Sequence, residues 1–175
     1  MKKWLCIAVA VLFGLCARAQ EGIPLLDQAA GKRVSFHYTY SLSQKGADFR
    51  EVTDGAVVVE GNAYTMEGLG LKVVSDGTTR WTMDEEAREL VVETVEKEDL
   101  YTNPALFIAT YRKYMDKIRV NSQGRDSLDV TLELDADTRA RFVLREVHFQ
   151  EAQGKSDFSI DEKSLSSSYL ITDLR

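Results

Sequence analysis

The chain has 175 residues, with 22 Lys and Arg against 28 Asp and Glu, a net charge of −6. An acidic chain without a run of basic residues repels phosphate backbones, which excludes nucleic acid as a partner. The two cysteines, Cys6 and Cys16, both lie near the start, so the body of the chain offers no disulfide, thiolate nucleophile or cysteine metal ligand.

Residues 1–19 have the pattern of a secretory signal peptide. Lys2 and Lys3 form a basic start, Trp4 to Leu15 an apolar stretch, and Ala17-Arg18-Ala19 the small residues a signal peptidase requires. The apolar stretch is shorter than the roughly 20 residues of a membrane span. Cys16 raises the alternative of a retained, acylated cysteine, but Leu15 stands where a lipoprotein signal has Gly or Ala. Cleavage is therefore expected after Ala19, leaving 20–175 as a single domain. Loss of Lys2, Lys3 and Arg18 leaves 19 basic residues against 28 acidic ones, a net charge of −9. An exported, cysteine-free acidic domain with this leader reads as bacterial and periplasmic.

Pro24 to Ala30 allows a short helix stopped by Gly31. Val34 to Tyr40 then alternates, with Val34, Phe36, Tyr38 and Tyr40 on one face. Ser43 to Asp48 reads as a polar turn. Val52 to Glu60 and Asn62 to Glu67 read as strands about Gly61, the second with Tyr64 and Met66 on one face. Leu71 to Ser75 and Thr79 to Met83 flank Asp76-Gly77, a strong hairpin signal because glycine reaches positive φ without steric cost. Arg88 to Val95 is a further β-branched strand.

One convincing helix follows, capped by Asn103 with Pro104 in its first turn. Phe107, Tyr111, Tyr114, Met115 and Ile118 give it an apolar stripe. Leu128, Val130, Leu132 and Leu134 form the clearest period-two run in the chain. In Arg141 to Gln150 the apolar parity shifts from Phe142 and Leu144 to Val147 and Phe149, which predicts a bulge. Ser156 to Ile160 and Tyr169 to Leu174 read as closing strands.

Nine or ten short strands with one interrupting helix predict a mainly β, α+β fold. The expected form is a curved antiparallel sheet, an incomplete half-open barrel, with the helix as a lid over an apolar cavity. The strand residues placed on that cavity face by parity are Tyr38, Tyr40, Tyr64, Met66, Val73, Trp81, Met83, Leu132, Leu134, Phe142 and Leu144. Phe107 and Tyr111 join them from the helix. The same parity would arise if these side chains simply packed against one another.

Catalytic patterns are absent from the sequence. His37 and His148 sit on the polar parity of their strands, and neither has the spacing of a zinc site. No Gly-x-Ser-x-Gly elbow or phosphate loop occurs. Asp84-Glu85-Glu86 and Glu96-Lys97-Glu98-Asp99 fit solvated turns better than paired catalytic carboxylates. The expectation is a protein that is not an enzyme and needs no metal or cofactor.

Val74-Ser75-Asp76-Gly77-Thr78-Thr79-Arg80-Trp81 resembles the outer-membrane lipoprotein carrier family, the LolA type. The resemblance continues through Asp84, Leu90-Val91-Val92, Asn103-Pro104 and Phe158-Ser159-Ile160. The ending Asp173-Leu174-Arg175 is similar to that of Bacteroidetes-type versions. It implies a monomeric carrier that ferries acylated lipoproteins across the periplasm. Cargo would come from an inner-membrane ABC transporter and pass to an outer-membrane acceptor. Family members carry an Arg-Pro pair and an aromatic ahead of the hairpin. Here Glu60-Gly61-Asn62-Ala63-Tyr64 keeps an aromatic but no arginine, and the region after the helix is compressed, which implies a more open cavity. A lipid- or lipoprotein-sensing module of the same fold is the alternative.

Overall fold

Alternation along the strands sorts the chain's side chains onto two faces of one large sheet. The computed structural model describes residues 22–95 and 103–175. The signal peptide, its cleavage point, both cysteines and the Glu96-Lys97-Glu98-Asp99 run lie outside the described residues.

The sheet has ten strands: β1 (Lys32–Gln44), β2 (Arg50–Glu60), β3 (Ala63–Gly68), β4 (Leu71–Ser75), β5 (Thr79–Asp84), β6 (Glu89–Thr94), β7 (Ile118–Gln123), β8 (Leu128–Glu133), β9 (Thr138–Glu151) and β10 (Leu170–Asp173). Their order is β10-β6-β5-β4-β3-β2-β1-β9-β8-β7. The sheet is open, with β7 and β10 at its two edges. Helix α1 (Pro24–Asp27) precedes it, and the main helix α2 (Pro104–Thr110) interrupts it between β6 and β7. The fold is therefore mainly β, as the sequence pattern predicts.

The long central pair β1–β9 carries the expected bulge. Ser35 pairs with His148 and His37 with Arg145, so Glu146 and Val147 together face Phe36. Glu146 absorbs the extra residue at φ +54, which lets Leu144 and Val147 both be buried despite their odd spacing. At the Asp-Gly hairpin, Asp76 and Thr79 close a two-residue loop that starts with Gly77 at φ +93. The Asp76 carboxylate accepts from the backbone N–H groups of Thr78 and Thr79 at 2.7 and 2.8 Å.

Four expectations change. The helical stripe ends early: α2 stops at Thr110, a 3-10 segment spans Tyr111–Lys117, and Ile118 begins β7 opposite Leu132. Thr110 turns its hydroxyl back onto the Leu106 carbonyl (2.6 Å), a local bond that competes with helix continuation. Strand β7 itself escapes sequence reading, because most of its side chains are exposed at the edge and its pattern is polar. Ser156–Ile160 forms no strand, although Phe158 within it is fully buried. The last strand, β10, runs parallel to β6, so the sheet is not wholly antiparallel.

Two apolar clusters result. The larger unites α1 and α2 with β1–β3, β8 and β9 on what is here called the front face. The smaller contains Ala63, Val74, Trp81, Met83, Leu90, Val92 and Phe158. Adjacent residues in β3 and β4 point into different clusters (Ala63 and Tyr64, Val73 and Val74), so the smaller cluster lies on the back face. The segment after β9 covers it with Phe158, Ile160, Leu165 and Tyr169.

Candidate functional site

Helix α2 is seated by its cap. The Asn103 side chain accepts from the N–H groups of Ala105 and Leu106 at 3.0 and 3.3 Å, satisfying donors that have no intrahelical partner. This presents Phe107 to the sheet, where its ring stacks on Phe142 at 5.2 Å, and Phe142 in turn meets Tyr40 at 5.0 Å. Tyr38 lies across the glycine pair Gly55 and Gly68 on β2 and β3. Its hydroxyl donates to the Glu67 carbonyl at 3.4 Å.

Of the residues assigned to the cavity wall by parity, Tyr38, Tyr40, Tyr64, Phe107, Tyr111, Leu132, Phe142 and Leu144 are buried together on the front face. Met66, Val73 and Leu134 pack around them, partly exposed. Trp81 and Met83 do not join this group. They belong to the back-face cluster, where the Trp81 indole N–H donates to Glu162 at 3.1 Å. The correction follows from register. Trp81 pairs with Val74, not Val73, so the apolar parity of β5 faces away from α2.

Phe107 stacked on Phe142, with Tyr40 tilted against Phe142, forms an aromatic contact on the front face. Open space lies at its rim, where a pocket of about 480 Å³ sits between α1, α2 and the ends of β1 and β2. Leu26, Ala29, Val34, Val59, Ile108 and Ala109 supply apolar wall, and Tyr111 alone comes from the wall predicted by parity. The other contributors were missed because they come from segments far apart in sequence, and none breaks its local pattern. The apolar residues of Pro24–Ala30 were the available signal.

Charges stand at the pocket's edge. Asp27 of α1 accepts from the Tyr111 hydroxyl and the Arg112 guanidinium, tying α1 to the end of α2. The Tyr111 hydrogen bond, reinforced by Arg112, holds the Asp27 carboxyl below its ordinary value. Burial, followed by the Asp27 carboxylate, pushes the Tyr111 phenol up. Lys32 also lines the pocket. Nearby, Tyr64 is raised by burial while Arg80 and Asn103 favour its ionised form, and Arg80 pairs with Glu93 at 3.0 Å.

His37 and His148 are exposed, as their parity predicts. Among the described residues no group of three or more His, Cys, Asp or Glu side chains could hold a metal ion. No helix among them is long and apolar enough to cross a membrane.

Comparison with known proteins yields no matching family model and no matching curated protein. Among solved structures, an uncharacterized conserved protein from Thermus thermophilus is similar over 86% of this chain and 97% of its own length. The identity is 10% and the TM-score 0.44.

Proposed function

We propose that this protein is a periplasmic carrier or chaperone that holds an acyl chain of a lipoprotein in the rim pocket and performs no covalent chemistry. The observation that carries the reading is the pocket itself. At about 480 Å³ it falls within the roughly 300–1,000 Å³ typical of small-ligand sites, and Leu26, Val34, Val59 and Ile108 give it an aliphatic patch edged by polar and charged side chains. In this reading the open sheet is an incomplete barrel and α2 its lid.

Energetics suit a carrier. Burying about ten methylenes at ~0.8 kcal/mol each gives ~8 kcal/mol, near micromolar affinity before other costs. Such a chain could be held in transit and still released. Export, cleavage after Ala19, loading from an inner-membrane ABC transporter, delivery to an outer-membrane acceptor and a monomeric state belong to the same proposal. They rest on the leader pattern and the family resemblance of the hairpin and the Asn-Pro helix.

Mass spectrometry of the purified protein under native conditions, with and without an added acylated peptide, tests the reading. Bound lipid or a one-to-one acyl-peptide complex is expected. Ala109→Trp, which places an indole at the pocket wall from an exposed helical position, should abolish it. Absence of any acyl complex in the wild-type chain would overturn the proposal.

A further inference from the structure

The sequence has no run of basic residues, yet the topology assembles a basic groove on the back of β7–β9. Arg119 of β7 pairs with Thr131 of β8, which pairs with Arg141 of β9. One row further along, Glu133 pairs with Arg139. All five side chains lie on the face opposite Val130, Leu132 and Phe142, because neighbouring residues in a strand alternate. With Phe49 and Asn121 they line a groove of about 390 Å³.

The arginines in this groove are not equivalent. Arg141 is committed to Asp129: its Nε and one terminal nitrogen fork onto the two Asp129 oxygens at 2.9 and 2.6 Å. Arg139 donates to the Ser43 hydroxyl at 3.1 Å and lies 5.3 Å from the Phe49 ring centre, but forms no ion pair among the described residues. Arg119 forms neither an ion pair nor a hydrogen bond there. Phe49 therefore acts as a platform that orients Arg139 and Arg141, while Arg119 and Arg139 keep donors for a ligand. The Thr131 hydroxyl accepts from Asn121 at 2.9 Å, which leaves its own proton to donate.

We propose that this groove binds a phosphate group, either free or carried by a lipid headgroup. Three positive charges face two carboxylates, and Asp129 is already neutralised by Arg141. Two guanidiniums then remain opposite Glu133. A phosphate, with several oxygens and up to two charges, satisfies two guanidinium forks and a hydroxyl at once. The site is separate from the rim pocket and does not depend on what that pocket holds.

The test has two arms on the full folded domain. Inorganic phosphate is titrated while the side-chain N–H signals of Arg119 and Arg139 are followed by NMR. Flotation is measured on phosphatidylglycerol vesicles and on phosphatidylcholine vesicles. Saturable shifts in the first arm assign free phosphate, and flotation selective for phosphatidylglycerol assigns a headgroup. Arg119→Ala removes an exposed head without breaking a contact and should weaken whichever binding is seen by about tenfold. Arg125→Ala, an exposed arginine in the β7–β8 turn, should leave it unchanged. No binding in either arm, or equal loss in both variants, would overturn the proposal.

Discussion

Gly55 shows how tightly single positions are set. A Cβ there would stand 1.8 Å from the Glu67 backbone oxygen and 3.1 Å from the Tyr38 ring. Backbone cannot move aside as a flexible side chain can, so Gly55→Ala should cost about 3 kcal/mol by urea denaturation. Asp27 makes a pH-dependent contribution. Its folded pKa is lowered from 3.8 by hydrogen bonds from Tyr111 and Arg112. The unfolded state therefore binds its proton first as pH falls, and the stabilisation present above 3.8 is lost as pH drops through the folded value. Asp27→Asn should flatten this part of the acid-unfolding curve, and a carboxyl NMR titration of Asp27 should show the low midpoint directly. Parity alone placed the core residues of β1, β3, β8 and β9, since one face of each strand is buried. It could not show that Tyr40, Phe107 and Phe142 meet ring to ring, because filling of space is a property of three dimensions.

Elements differ in how far sequence revealed them. The Asp76-Gly77 hairpin, the Asn103 cap and the β9 bulge were legible because each rests on local chemistry. Strand β7 was not, because it is an edge strand whose side chains are mostly exposed and whose pattern is therefore polar. Nor was the coil around Phe158, because the Trp81, Leu90 and Val92 it packs against come from a distant part of the sequence. Trp81 gives the clearest case. Its strand alternates as expected, yet which face meets α2 is decided by the pairing with Val74 and by the segment after β9. It follows that Trp81 stabilises the back face and lies outside the proposed acyl pocket. Trp81→Ala should cost about 3–5 kcal/mol, as expected for a buried aromatic, while surviving folded protein keeps its affinity for an acylated peptide. Calorimetric melting beside a binding titration separates the two effects. Asn103→Ala should cost about 1 kcal/mol by loosening the first turn of α2, measurable as a lower urea midpoint.

At the scale of the molecule, one sheet presents different features on its two faces. The front holds the ring contacts of Phe107, Phe142 and Tyr40, and the rim pocket opens between α1, α2 and the ends of β1 and β2. The back is sealed at one end by the returning C-terminal segment and bears the arginine groove at the other. A carrier built this way would engage cargo at its rim, where Asp27 bridges Tyr111 and Arg112 across the two helices. Acyl-chain exchange would then require those helices to part while the sheet stays intact. The most direct test is native mass spectrometry of wild-type and Ala109→Trp protein after exposure to an acylated peptide and to its deacylated counterpart. The account predicts a one-to-one complex of the wild type with the acylated peptide alone, and none with Ala109→Trp. Equal binding of both peptides, or undiminished binding by the folded variant, would contradict it.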